Sequence, residues 1–121
     1  MSRRILIVED QADNRRILRD LLTSAGYEII QAENGEEALV AAARDLPDLI
    51  LMDIQLPLLD GYEATRRIKA DPALRAIPVI VVTSYALSGD EAKARAAGCD
   101  DYVTKPFSPR ALLAKIREYV P

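Results

Sequence analysis

Three apolar runs, residues 5–8 (ILIV), 49–52 (LILM) and 79–82 (VIVV), are each four residues long and contain no polar alternation. A strand with one face in water alternates apolar and polar side chains, whereas a strand covered on both faces reads as a continuous branched run. The pattern therefore calls for a parallel sheet with helices on both sides. Two weaker strands are predicted at residues 27–30 (YEII) and 101–103 (DYV). Between the strands lie helical spacings: Leu18, Leu21, Leu22 and Ala25, then Ala38, Leu39 and Ala42, then Ala64, Ile68 and Lys69. Gly26 and Gly98 stand where helices stop, Ser108-Pro109 reads as an N-cap followed by proline in the first helical position, and Pro47, Pro72 and Pro78 punctuate turns. Strand and helix alternate five times. The fold class predicted is α/β: a (βα)5 doubly wound, parallel, five-stranded sheet in the order 2-1-3-4-5, whose switch point lies between strands 1 and 3.

Composition narrows the chemistry. With 121 residues there is room for one closed core, and the whole of 1–121 is read as a single domain with no appended effector. Half the residues are apolar and 29% are charged, the balance of a globular protein. No apolar stretch approaches the roughly 20 residues that cross a bilayer, and the short run after Arg3-Arg4 is no signal peptide. A cytoplasmic location with no membrane insertion is expected. One cysteine, Cys99, and no histidine exclude an internal disulfide, a structural zinc site, a His-based catalytic pair and a phosphohistidine on this chain. A net charge of -3 with scattered basic residues offers no footprint for direct nucleic-acid binding.

Ligands of such sheets bind beyond the carboxyl ends of the strands. Strand 1 ends in Glu9-Asp10, strand 3 in Asp53, strand 4 in Thr83-Ser84, and Tyr102, Thr104 and Lys105-Pro106 belong to strand 5 and its exit. Each has an ordinary role when taken singly: Asp53 as a turn opener, Glu9-Asp10 as the polar entry to a helix, Thr83 as a strand residue, Lys105 as a solvated charge. Together they are harder to assign to chance, because three converging carboxylates repel one another and require a compensating cation. Lys105 is one. Mg2+, which takes hard oxygen ligands and usually binds through one or two carboxylates plus a phosphate, is the other. A carboxylate beside Mg2+ and lysine can attack phosphorus and form an aspartyl phosphate, with Thr83 and Lys105 neutralising the phosphoryl oxygens.

The segments ILIVED (5–10), DLILMDIQLPLLDG (48–61), VIVVTS (79–84) and DYVTKPF (101–107) make the chain resemble, over its whole length, the receiver domains of two-component response regulators. It is similar to the single-domain regulators used in bacterial cell-division control and to the receivers of hybrid kinases. The resemblance implies a flavodoxin-like receiver fold, no true enzymatic turnover beyond slow self-phosphorylation and self-dephosphorylation, and a place in a phosphorelay. Asp53 would accept a phosphoryl group from a phosphohistidine on a sensor histidine kinase or histidine phosphotransfer protein. Asp10 and Asp53 would bind Mg2+ directly with the backbone carbonyl of Gln55, and Glu9 mainly through water. Lys105 would pair with the phosphoryl group, Thr83 would donate its hydroxyl to it, and the Lys105-Pro106 bond would be cis. Tyr102 would be an aromatic switch, or else a half-buried strand aromatic. Residues 83–90 would form the loop that moves, Ser84 would let a backbone N–H approach the phosphate, and Gln55 and Tyr85 would flank the path of attacking water. The surface of helix 4, strand 5 and helix 5 would meet a downstream protein target.

Ile17 lies roughly a quarter turn from the centre of the first helix's apolar stripe, beside the acidic edge. It either docks the phosphodonor partner or widens the core stripe. Two other identities compete with the stand-alone regulator. One is a receiver excised from a hybrid kinase or longer regulator. The other is a Mg2+-dependent phosphatase with an aspartate nucleophile, which Gln55 disfavours because a second acid is expected two residues after that nucleophile. A flavin or nucleotide binder of the same fold would need a Gly- or hydroxyl-rich loop where EDQADN stands.

Overall fold

The computed structural model describes residues 3–83 and 90–121. Its elements alternate throughout: β1 (Arg4–Val8), α1 (Ala12–Ser24), β2 (Glu28–Ala32), α2 (Gly35–Asp45), β3 (Leu49–Asp53), α3 (Gly61–Ala70), β4 (Val79–Thr83), α4 (Asp90–Ala96), β5 (Asp101–Thr104) and α5 (Pro109–Tyr119). The five strands are parallel in the order β2-β1-β3-β4-β5, as the alternation of runs and helical spacings predicts. Among the described residues no helix is long and apolar enough to cross a membrane.

The period-2 geometry of a strand divides each apolar run between two layers. Leu6, Val8, Ile50, Met52, Val79 and Val81 point to the side covered by α2, α3 and α4, where Ala38, Ala42, Ala64, Ile68 and Ala94 meet them. Ile5, Ile7, Leu49, Leu51, Ile80 and Val82 point to the side of α1 and α5, against Leu18, Leu22, Leu112 and Ile116. Every residue of β3 and β4 is buried, which is why neither run alternates.

The second strand begins one residue later than the sequence predicts and runs two residues further, because β2 pairs with β1 along its full length from Arg4↔Glu28 to Val8↔Ala32. Tyr27 falls before it; the ring is buried and the hydroxyl donates to the carbonyl of Val120 at 2.7 Å, tying the end of α5 to the start of β2. Asp53 and Thr83, predicted at strand exits, are the last residues of β3 and β4. The expected helix signals are present: Gly26 and Gly98 have φ of 97° and 98°, and Ser108 Oγ accepts from the N–H of Ala111. Lys69, counted in the stripe of the third helix, instead pairs with Asp100 at 2.7 Å and donates to the carbonyls of Arg75 and Ile77.

Two glycines let α2 and α3 press against the chain that follows β3. A Cβ on Gly61 would lie 2.0 Å from the carbonyl oxygen of Asp53, and one on Gly35 would lie 2.1 Å from that of Leu59. Both neighbours are backbone and cannot rotate aside. The loop of residues 54–60 is thus held at both ends: the N–H groups of Leu56 and Leu59 close tight turns onto the Ile54 and Pro57 carbonyls, and the N–H of Gly61 bonds back to the Ile54 carbonyl across the loop. Gly61→Ala is expected to lower unfolding free energy by about 1–3 kcal/mol, as overpacking against an immobile group does. Urea unfolding of the variant checks this, and an unchanged midpoint would contradict the contact.

Candidate functional site

The parallel register delivers four strand ends to one edge. Val8 pairs with Met52, so Glu9 follows β1 where Asp53 ends β3; Asp53 pairs with Val82, and Thr83 with Thr104, so Lys105 follows β5 just beyond Thr83. Glu9, Asp10 and Asp53 each bring a carboxylate oxygen within 4.8 Å of the others. Glu9 and Asp53 are buried, while Asp10 is exposed at the mouth. Lys105 Nζ stands 3.0 Å from Glu9 Oε2 and 3.5 Å from Asp53 Oδ2. Asp53 Oδ1 accepts the N–H of Ile54 at 2.7 Å. The backbone N–H of Lys105 donates to the carbonyl of Thr83 at 2.6 Å, and the Lys105-Pro106 bond is cis.

One ammonium accompanies three carboxylates, and the balance shows in the proton affinities of Glu9 and Lys105. Burial, reinforced by the hydrogen bond and charge of Asp53, pushes the Glu9 carboxyl above its ordinary 4.5; Lys105 opposes the rise without cancelling it. Burial works against the charge of Lys105, yet the carboxylates of Asp53 and Glu9 outweigh it and hold the ammonium above 10.5. The cluster therefore keeps uncompensated negative charge built from hard oxygen donors, the chemistry that suits Mg2+ and not a thiophilic metal.

The profile of the response regulator receiver domain family matches residues 5–117. The chain belongs to this family. It is 47% identical over 120 residues, 99% of its length and 98% of the relative's, to the polar-differentiation response regulator DivK of Brucella anthropi, and 46% identical to DivK of Brucella ovis over the same shares. Among solved structures, it superposes with a TM-score of 0.92 and 39% identity, over 98% of each chain, on the receiver domain of a sensor histidine kinase from Pseudomonas aeruginosa PAO1. That structure has a magnesium ion coordinated in the active site cleft. A putative response regulator from Chloroflexus aurantiacus superposes with a TM-score of 0.94 at 32% identity, over 98% of each chain.

The receiver chain thus gathers Glu9, Asp10, Asp53, Thr83 and Lys105 at one edge. Gln55 lies two residues past Asp53 with its side chain exposed. Tyr102 is half-buried on β5 and packs against the layer of α2, α3 and α4. Ile17 is 61% exposed, so it does not widen the core stripe; with Asn14, Leu18, Lys105, Pro106 and Phe107 it lines an apolar groove of about 560 Å³ that begins at the site lysine. Ser84, Tyr85 and most of the 83–90 loop expected to move lie outside the described residues.

Two contributors were not singled out from the sequence. Arg15, nearly buried, donates from Nη1 to the carbonyl of Glu9 at 2.8 Å and from Nη2 to Glu33 Oε1 at 3.2 Å, which fixes the peptide that joins Glu9 to Asp10. Its signal was its place in the first turn of α1, where side chains lean back toward the helix N-terminus and the strand end. Gly61 closes the segment DLILMDIQLPLLDG, but only tertiary packing reveals the carbonyl it must clear.

The raised Glu9 carboxyl has a consequence for stability. Above pH 4.5 the unfolded chain releases this proton while the folded protein keeps it, so the folded state binds more protons and this group's contribution falls as pH rises through its folded value. In metal-free protein, Glu9→Gln is expected to flatten that decline. Urea unfolding from pH 4.5 to neutrality checks it, and equal slopes in both proteins would contradict the charge balance described.

Proposed function

We propose that this receiver domain accepts a phosphoryl group on Asp53 from a phosphohistidine of a sensor histidine kinase or histidine phosphotransfer protein, and passes the signal to a downstream protein by contact. The observation that carries the reading is the carboxylate cluster of Glu9, Asp10 and Asp53 with the Lys105 ammonium set between two of its members. A carboxylate oxygen of Asp53 attacks phosphorus, the phosphorus–nitrogen bond to the donor imidazole breaks, and the imidazole leaves with the electron pair. Asp10, Asp53 and the carbonyl of Gln55 would hold Mg2+, with Glu9 acting through water. The ion supplies positive charge against the acceptor and phosphoryl oxygens. Lys105 exchanges its carboxylate contacts for a phosphoryl oxygen, and Thr83 donates its hydroxyl to another.

Phosphorylation adds about -1.5 to -2 charges at Asp53. In this reading Thr83 and Lys105 respond first, Tyr102 on β5 follows Thr83 inward, and the face of α4, β5 and α5 is altered for its target. Ile17 docks the phosphodonor: its exposure at the rim of the groove that starts at Lys105 supports this role over a core one.

Incubation of the protein with Mg2+ and a small phosphodonor such as acetyl phosphate, followed by intact mass measurement, is expected to show one added phosphoryl group that Asp53→Asn abolishes. No adduct, or one that survives the substitution, would sink the assignment of the acceptor. Hydrolysis of phosphate esters with many turnovers per protein would point instead to the phosphatase. Ile17→Ala is expected to slow transfer from a phosphorylated histidine protein about tenfold, equivalent to about 1.4 kcal/mol of lost contact, while leaving acetyl phosphate labelling unchanged. Equal slowing with both donors would remove Ile17 from docking.

A further inference from the structure

Helix α2 has an outer face that neither the sheet nor the acidic site uses. Its inner side chains are Ala38, Ala41 and Ala42, and its outward stripe is Glu36, Val40 and Arg44, each separated by one turn. Val40, at the middle of the helix, is 61% exposed, and Leu58 beside it on the β3–α3 loop is 75% exposed. The two border a shallow groove of about 460 Å³. Leu58 is also held at φ 69°, in the left-handed region that favours glycine or asparagine over a branched apolar residue. Apolar exposure and unfavourable backbone thus meet at Leu58, as they also do at Leu46 at the end of α2, and covering the side chain removes the first of these costs.

The charges around Val40 select the occupant. Glu36 lies one turn before it and Arg44 one turn after. A two-fold axis through Val40, perpendicular to the helix, sets positions equally far before and after Val40 opposite one another. Glu36 of each copy then faces Arg44 of the other, while the two Val40 side chains meet at the axis. A parallel pairing would set like charges together, so the stripe complements itself in one orientation only. Both residues are available: Glu36 has no ion pair among the described residues, and Arg44, whose side chain is 64% exposed, pairs only with the adjacent Asp45 at the surface.

We propose that α2 and Leu58 form a docking face for a second copy of this chain, giving an antiparallel two-fold dimer centred on Val40. Because α2 covers the opposite sheet face from α1 and α5, the groove between Ile17 and Lys105 stays open in such a dimer. The proposal stands apart from the phosphotransfer reading and survives its failure.

Sedimentation equilibrium of the full chain into the millimolar range tests it. A monomer–dimer equilibrium is expected, weakened about tenfold or more by Val40→Glu and severalfold by Glu36→Arg or Arg44→Glu alone. An equimolar mixture of the Glu36→Arg and Arg44→Glu proteins is expected to regain association, because the mixed pair sets opposite charges together at both contacts. Leu58→Asn is expected to weaken the dimer without lowering the melting temperature, which separates lost docking from lost folding. A chain that stays monomeric at every concentration overturns the proposal. So does a dimer that none of these substitutions alters, or a mixture of the two charge variants that associates no better than either alone.

Discussion

Parallel pairing with both faces buried is the constraint on which the molecule depends. Each strand must return to the same starting edge through a helix, so every strand ends at the same opposite edge. In a sheet whose β3 and β4 are buried at every residue, polar side chains can be placed only where the strands stop. Glu9, Asp53, Thr83 and Lys105 are far apart in sequence yet neighbours in space for that reason alone.

The edge so formed is electrostatically poised. Glu9 is buried beside Asp53 and holds its proton more tightly than a free carboxyl, while Lys105 holds its own against burial because two carboxylates face it. Such a cluster is under-neutralised with the lysine alone, and its hard oxygen donors are a set able to hold a divalent cation. The guanidinium of Arg15 stands behind it, on a backbone carbonyl and on Glu33, and steadies the acidic pair without occupying the carboxylates.

Rigidity and strain are distributed unevenly around this edge. Gly35 and Gly61 are small because backbone oxygens lie 2.1 and 2.0 Å from where a Cβ would sit, and together they pin the loop that joins Asp53 to α3. Leu46 and Leu58 show the opposite choice: each is a large apolar residue at positive φ and largely exposed. At Leu46 the left-handed conformation ends α2, with its N–H bonded to the carbonyl of Ala42. At Leu58 no helix end requires a leucine, and the side chain borders, with Val40, the groove on the outer face of α2.

Much of this was legible in the chain itself. Unbroken apolar runs interleaved with helical spacings determine a parallel sheet covered on both sides, because only strands buried twice lack alternation, and the carboxylates, threonine and lysine at the run ends mark its polar edge. Strand limits were read less well at β2, whose Gln31 and Ala32 carry no distinctive propensity and are strand because β1 runs beside them. The alternative roles of Ile17 could not be separated by helical phase, since a quarter turn from the stripe is compatible with either; its exposure depends on how α1 sits against the β5–α5 connection. Likewise the clamp from Arg15, the glycine contacts and the pairing of Lys105 with Glu9 as well as Asp53 are decided by distances between segments remote in sequence. Local pattern specifies which residues are buried and where strands end, but only the closed tertiary packing decides which side chains touch.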